Sequence, residues 1–238
     1  LKIFRSTRQD QVKEKKFGSY LLYAIGEIIL VMIGILLAMQ VNNWNENRKK
    51  NDQLNSILST VAIDLKTDTI RANLVVQFYD TIKKKTDLII QRKLNRKNYQ
   101  TCPECRSIAS IYQPFIVQKK GYELLENFSD NNEMKNDTLV NTITRFYNSF
   151  GLLIDDSNVF IKEEVFKNIE RFKQEDWFVE WSLGETTDKM VLFFYEGDEY
   201  RKIVAANDIL AGKNHKSFVK RYKIEAKKLL QKLEERLE

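Results

Sequence analysis

The run Tyr20-Leu-Leu-Tyr-Ala-Ile-Gly-Glu-Ile-Ile-Leu-Val-Met-Ile-Gly-Ile-Leu-Leu-Ala-Met-Gln-Val41 is apolar for long enough to cross a bilayer, and this constrains every other part of the chain. At 1.5 Å per residue a helix over these positions spans roughly 30 Å, about the thickness of the hydrocarbon core. Glu27 is its only acidic or basic residue. Lys2, Arg5, Arg8, Lys13, Lys15 and Lys16 precede the run, opposed only by Asp10 and Glu14. A short basic flank stays inside, so residues 1–19 are expected to be a cytoplasmic juxtamembrane segment. Leu1, Phe4, Val12 and Phe17 admit either a lipid-touching interfacial segment or a plain basic tail. Leu1 in place of an initiator Met predicts that the chain starts after its natural first residue or residues.

A cleaved signal peptide is the competing reading, but it carries an apolar core of about 7–15 residues ending in a small-x-small site. Here the run is longer and continues into Asn42, Asn43 and Trp44, with Tyr20, Tyr23 and Trp44 placed as interfacial aromatics. The expectation is an uncleaved signal anchor. The chain would be single-pass in a bacterial inner membrane, its N-terminus cytoplasmic and its C-terminal domain periplasmic.

The stretch from Tyr20 to Glu46 resembles the N-terminal signature of a bacterial family of uncharacterised single-span envelope proteins, a domain of unknown function. Gly121-Tyr-Glu-Leu-Leu-Glu-Asn-Phe128, followed by Leu139 to Phe150, is similar to that family's mid-chain pattern. The resemblance implies the anchor and a helical exterior. It brings no catalytic residues with it.

Only 8 Gly and 2 Pro in 238 residues point to long helices and few tight turns, hence an all-α fold. The net charge of +6 does not imply nucleic acid, because acids and bases are interspersed along the exterior part and much of the excess sits in the N-terminal flank, which suits an anionic lipid surface. Membrane lipid is therefore an expected partner and nucleic acid is not.

Within the span, helical spacing brings Tyr23, Glu27, Gly34 and Ala38 onto or near one face. Gly34-x-x-x-Ala38 is a small-xxx-small pair that lets a second helix approach closely. A carboxylate at the centre of a bilayer costs on the order of 2.5–3.5 kcal/mol, so Glu27 is expected to face protein, either bonded to Tyr23 or a backbone carbonyl or acting as a proton relay. A homo-oligomer or a complex with other membrane subunits follows.

Past Trp44, Leu54, Leu58, Val61, Leu65, Asp68, Ala72, Val75, Tyr79, Ile82, Thr86 and Ile89 step by fours and threes, the rhythm of a coiled coil. The stripe reads either as a self-associating stalk over residues 42–95 or as the first helix of an intramolecular bundle, and the span tips the reading towards the stalk. Residues 96–238 then form the extracytoplasmic helical domain. In Thr101-Cys-Pro-Glu-Cys-Arg106, Pro103 suits a first helical position. Cys102 and Cys105 are expected to form a local disulfide, with thiol-redox or intersubunit metal chemistry the alternatives. Gln113-Pro-Phe115 is expected to separate two short helices, Ser129 to Lys135 to form a turn, and Asn136 or Asp137 to cap the long helix that follows. Trp177, Phe178 and Trp181 either tuck into the bundle or form a partner patch. Gly212 reads as a helix stop, and Ser217 to Glu238 as the closing helix.

No phosphate loop, dinucleotide fingerprint, zinc-protease helix or nucleophile elbow is present. His215, the single histidine, reads as a surface residue between lysines. No catalytic residues, metal site or cofactor are expected. The chain reads as a non-enzymatic scaffold or accessory subunit of a cell-envelope membrane complex acting through helix–helix assembly. A proton-coupled stator-like subunit using Glu27 and an extracytoplasmic ligand-sensing bundle are the alternatives.

Overall fold

The computed structural model of the chain describes residues 17–132 and 137–238. The basic flank up to residue 16, Asn136 and the later part of the expected turn at 129–135 lie outside the described residues. All regular structure among the described residues is helical. The chain divides into two compact units, residues 1–54 and 55–238. Helix α1, Phe17–Ile90, contributes to both.

In the first unit α1 supplies one helix long and apolar enough to span a membrane, and none of its apolar window is buried. A helix apolar on all sides and covered by nothing is stable in lipid, where each backbone group is satisfied within the helix.

The second unit is a bundle built on three long helices: residues 55–90 of α1, α3 (Thr138–Phe172) and α7 (Lys216–Leu237). Val61, Leu65, Ala72, Val75 and Tyr79 of the expected coiled-coil stripe are buried in this unit. The boundary thus falls after Leu54 rather than at residue 95, and the stripe from residue 55 on is core, not a free stalk. The two readings share one spacing, and what separates them is whether α3 and α7 return to cover the stripe. Helix α7 lies antiparallel to both neighbours, since Ser157 meets His215 and Phe150 meets Tyr222, while Asp80 pairs with Lys216 and Asn73 with Lys223.

Helix α1 ends without glycine or proline. Arg92 takes φ 53, its N–H donating to Ile89 and that of Lys93 to Leu88, the paired bonds of a Schellman cap. The left-handed backbone costs a non-glycine residue about 1–2 kcal/mol, and the Arg92 side chain is held by Asp198. After two short 3₁₀ turns, Tyr99–Thr101 and Pro103–Ser107, the chain returns along α1 as an extended strap over residues 111–119, not as the helices expected on either side of Gln113-Pro-Phe115. The strap is satisfied by side chains. Tyr79 Oη exchanges bonds with both N–H and C=O of Gln113, and the Asn158 amide does the same for Phe115.

Helix α2 (Lys120–Asn132) continues the strap and takes in the first residues of the expected turn. Asp137 caps α3, its Oδ1 accepting from Leu139 and Val140 at 2.8 and 3.1 Å. Four elements close the far end: α4 (Phe178–Ser182), α5 (Asp188–Val191), a π-helical turn at Leu192–Glu196, and α6 (Asp198–Asn207). They surround a second core containing Ile89, Phe172, Trp177, Phe194 and Tyr200. Trp177 is buried there, with Phe178 and Trp181 packed against it. Gly212 does not stop the helix. Asp208–His215 winds as π-helix and runs straight into α7, and a Cβ at Gly212 would stand 2.5 Å from Asp208 Oδ1.

Gly121 lets α2 start against the backbone of α1, since a Cβ there would lie 2.5 Å from the Val61 amide nitrogen. Gly121→Ala forces strap and α1 apart and is expected to lower stability by about 1–3 kcal/mol, the cost of overpacking a core. Urea unfolding of the detergent-solubilised chain, followed by tryptophan fluorescence, checks this against Gly151→Ala, where a Cβ meets only the flexible end of Lys119 at 3.7 Å.

Candidate functional site

Asp64 and Asp68 sit one turn apart on the face of α1 that packs inward, where burial removes the water an ionised carboxylate needs. Backbone and side-chain donors replace that water. Asp64 Oδ2 accepts from the Gly121 amide at 2.6 Å. Asp68 Oδ2 accepts from the Gln118 amide at 3.0 Å and from Tyr222 Oη of α7 at 2.6 Å. One carboxylate thereby joins α1, the strap and α7. Among the described residues its second oxygen, Oδ1, has no hydrogen-bond partner, and neither has the Tyr147 hydroxyl of α3, which feels the charges of Asp64 and Asp68. Burial raises the Asp68 pKa to about 6; the Tyr222 and Gln118 bonds pull the other way, the Asp64 charge adds to the rise, and Arg71 opposes it. Burial likewise holds the Tyr222 and Tyr147 hydroxyls well above their ordinary range.

Further along the seam His215 is fully buried, not on the surface. The π-helical stretch turns its ring inward, where Nδ1 lies 2.8 Å from Ser157 Oγ and the ring meets Tyr79 edge-on at 5.6 Å. Its lysine neighbours suggest solvent because they flank it in sequence, whereas a helix sends adjacent side chains about 100° apart. Burial pushes its pKa down to about 4 against an opposing contribution from the Gln113 backbone, so the ring is neutral at pH 7. At the end of the seam Lys83 bridges Asp87 and the buried Asp208 at 2.7 and 3.2 Å, and these partners, Asp87 first, raise its pKa. The seam binds helices to one another. Among the described residues no group of three or more His, Cys, Asp or Glu gathers as metal ligands.

The residues singled out from the sequence occupy two other places. Tyr23, Glu27, Gly34 and Ala38 lie on the apolar part of α1, Glu27 exposed and Gly34 with no atom within 4 Å of where a Cβ would stand. Cys102 and Cys105 form a disulfide within the second unit, and both are buried. Pro103 opens the short helical turn between them, as its position suggested. Tyr195 and Tyr200 donate their hydroxyls to the carbonyls of Cys102 and Cys105 at 3.2 and 2.7 Å, tying the loop to the far core. Thiol exchange needs an exposed sulfur, so this pair is placed as a packing element. Of the seam, only Asp68 stood out in sequence, as a charge on an apolar stripe. Tyr222 and Tyr147 were hidden among the aromatics, and the lysines around His215 pointed to the surface.

The seam holds two groups whose shifts oppose. Asp68 has a folded pKa above its unfolded 3.8, so its burial costs stability above about pH 6 and the cost vanishes as pH falls to 3.8. His215 has a folded pKa below its unfolded 6.5, so it costs nothing above pH 6.5 and costs stability as pH falls towards 4. Each swing amounts to about 3 kcal/mol, and in the native chain they largely cancel. Asp68→Asn is expected to leave the His215 slope exposed, the variant losing about 3 kcal/mol relative to the native chain between pH 7 and 4. His215→Gln is expected to show the opposite slope. Urea unfolding at both pH values reads each difference.

No curated protein and no solved structure matches the chain. The match that is found covers α1 from Glu27 onward, the cap at Arg92 and the loop as far as Glu104, and it leaves out α3 and α7. Over residues 27–104 the chain is similar to a family of unknown function (DUF6090).

Proposed function

We propose that this chain is a membrane-anchored, non-enzymatic scaffold or accessory subunit of a cell-envelope membrane complex, acting through helix–helix assembly. The observation that carries the reading is the wholly uncovered apolar window of α1, which contains Glu27 and the open Gly34-x-x-x-Ala38 pair. In lipid an apolar helix gains nothing by hiding from its solvent, so close backbone approach and polar contacts drive association, and this face offers both. The basic flank 1–16 favours an N-terminus on the cytoplasmic side of an inner membrane, with the bundle in the periplasm. A second reading, a proton-coupled subunit, rests on Glu27 alone: a carboxyl within a span marks a proton path as readily as a helix contact.

Gentle detergent extraction and mass measurement of the intact assembly test the proposal. More than one polypeptide per particle is expected, and Gly34→Leu, which fills the close-approach position, is expected to cut the assembled fraction at least tenfold. A particle holding one copy and no other subunit overturns the reading. Glu27→Gln that preserves the assembly while abolishing a membrane-potential-dependent activity favours the proton path.

A further inference from the structure

The outer seam between α3 and α7 is not filled. Thr142 and Ser149, seven residues apart on one face of α3, carry short side chains, and a cavity of about 320 Å³ opens beside them against the face of α7 that bears Glu225, Lys228 and Lys232. Its floor is apolar, built from Phe146, Phe150 and Leu229. The two phenyl rings lie 5.2 Å apart and each packs on Tyr222, at 5.0 and 5.7 Å, so the floor is fixed by the same tyrosine that holds Asp68. The rim is charged, and its charges do not balance: three cations face one carboxylate. Lys228 takes up that carboxylate, Glu225, at 2.8 Å. Arg145 of α3 and Lys232 of α7 enter no ion pair among the described residues, which leaves one uncompensated cation on each wall of the trough.

We infer that this trough binds a small organic anion, a carboxylate carried on a flat apolar body of one or two rings. The rings lie on the phenyl floor, where they remove water from Phe150, and the carboxylate ends between Arg145 and Lys232. The fork of the guanidinium matches the two oxygens of a carboxylate, and the ammonium opposite adds a second charge-assisted bond. Size restricts the body. The cavity sits at the small end of the roughly 300–1,000 Å³ range of small-molecule sites, and it runs only roughly 12 Å along α3 from Thr142 to Phe150, which suits a ring system better than a long acyl chain. Both halves of the ligand are needed. An inorganic anion would leave the phenyl rings wet, and a neutral ring system would leave both cations uncompensated. The site lies wholly within the second unit, so it stands whether or not the anchoring helix assembles with other subunits.

Equilibrium dialysis of the full chain in lipid nanodiscs, with empty nanodiscs as the blank, tests this with naphthalene-2-carboxylate as the probe. The probe is expected to bind at least tenfold more tightly than its neutral counterpart naphthalene-2-methanol, and added salt is expected to weaken it. Arg145→Gln combined with Lys232→Gln is expected to weaken the probe at least tenfold with the unfolding midpoint unchanged, since both side chains are exposed. Ser149→Leu, which fills the trough from an exposed position, is expected to abolish binding. Lys220→Gln combined with Lys227→Gln removes two exposed cations of α7 that do not line the trough, and is expected to change nothing. Retention of the probe no greater than by empty nanodiscs overturns the inference. Equal affinity for the neutral counterpart, equal loss in the two double variants, or full binding to Ser149→Leu overturns it as well.

Discussion

Two carboxylates on the inner face of α1 decide where the rest of the bundle can go. Asp64 and Asp68 accept the amides of Gly121 and Gln118, and Asp68 also takes the Tyr222 hydroxyl. An extended segment laid across a helix has no ladder to satisfy its backbone, and orphaned amides would cost on the order of 1–3 kcal/mol each. With the strap held at Gln113, Phe115 and Gln118, and the first turn of α2 held at Gly121, the register is set to within a residue. The same oxygen that satisfies the strap draws α7 in antiparallel. A hydrophobic stripe alone could slide by a turn; these bonds cannot.

The π-helical stretch Asp208–His215 belongs to the same arrangement. Widening the helix there moves two polar side chains inward together, Asp208 to Lys83 and His215 to Ser157. Such a bulge trades regular backbone geometry for a reorientation of side chains that a straight helix would not permit. Gly212 is the residue that makes room, because Asp208 occupies the place of its missing Cβ. Asp68 and His215, buried along one seam, are shifted in opposite directions by the same loss of water, the carboxyl upward and the imidazole downward.

Beyond Leu54, α1 faces two environments. Inward it is apolar with charges held by named donors; outward the exposed Ile63, Ile70 and Leu74 alternate with the exposed Lys66, Arg71 and Asp80. The far core, with Trp177, Phe194, Tyr200 and the disulfide, is packed from chain segments distant in sequence and contributes rigidity to the end where the strap begins.

The sequence by itself determined what depends on spacing and local chemistry. The spanning length from Tyr20 to Val41, the 3.6-residue periods of α1, α3 and α7, the Asp137 cap and the Pro103 turn are each written within a few residues of one another, and so is the helical class. Only the tertiary structure decided what depends on a distant partner. The stripe from Val61 to Tyr79 is core because α3 and α7 fold back over it, and the strap is extended because donors and acceptors from Asp64, Asp68, Tyr79 and Asn158 replace the helical bonds it forgoes. His215 is buried because a π-helical turn rotates it inward. Burial is a relation between residues far apart in the chain, and helical period records only that a face exists, not which surface comes to cover it.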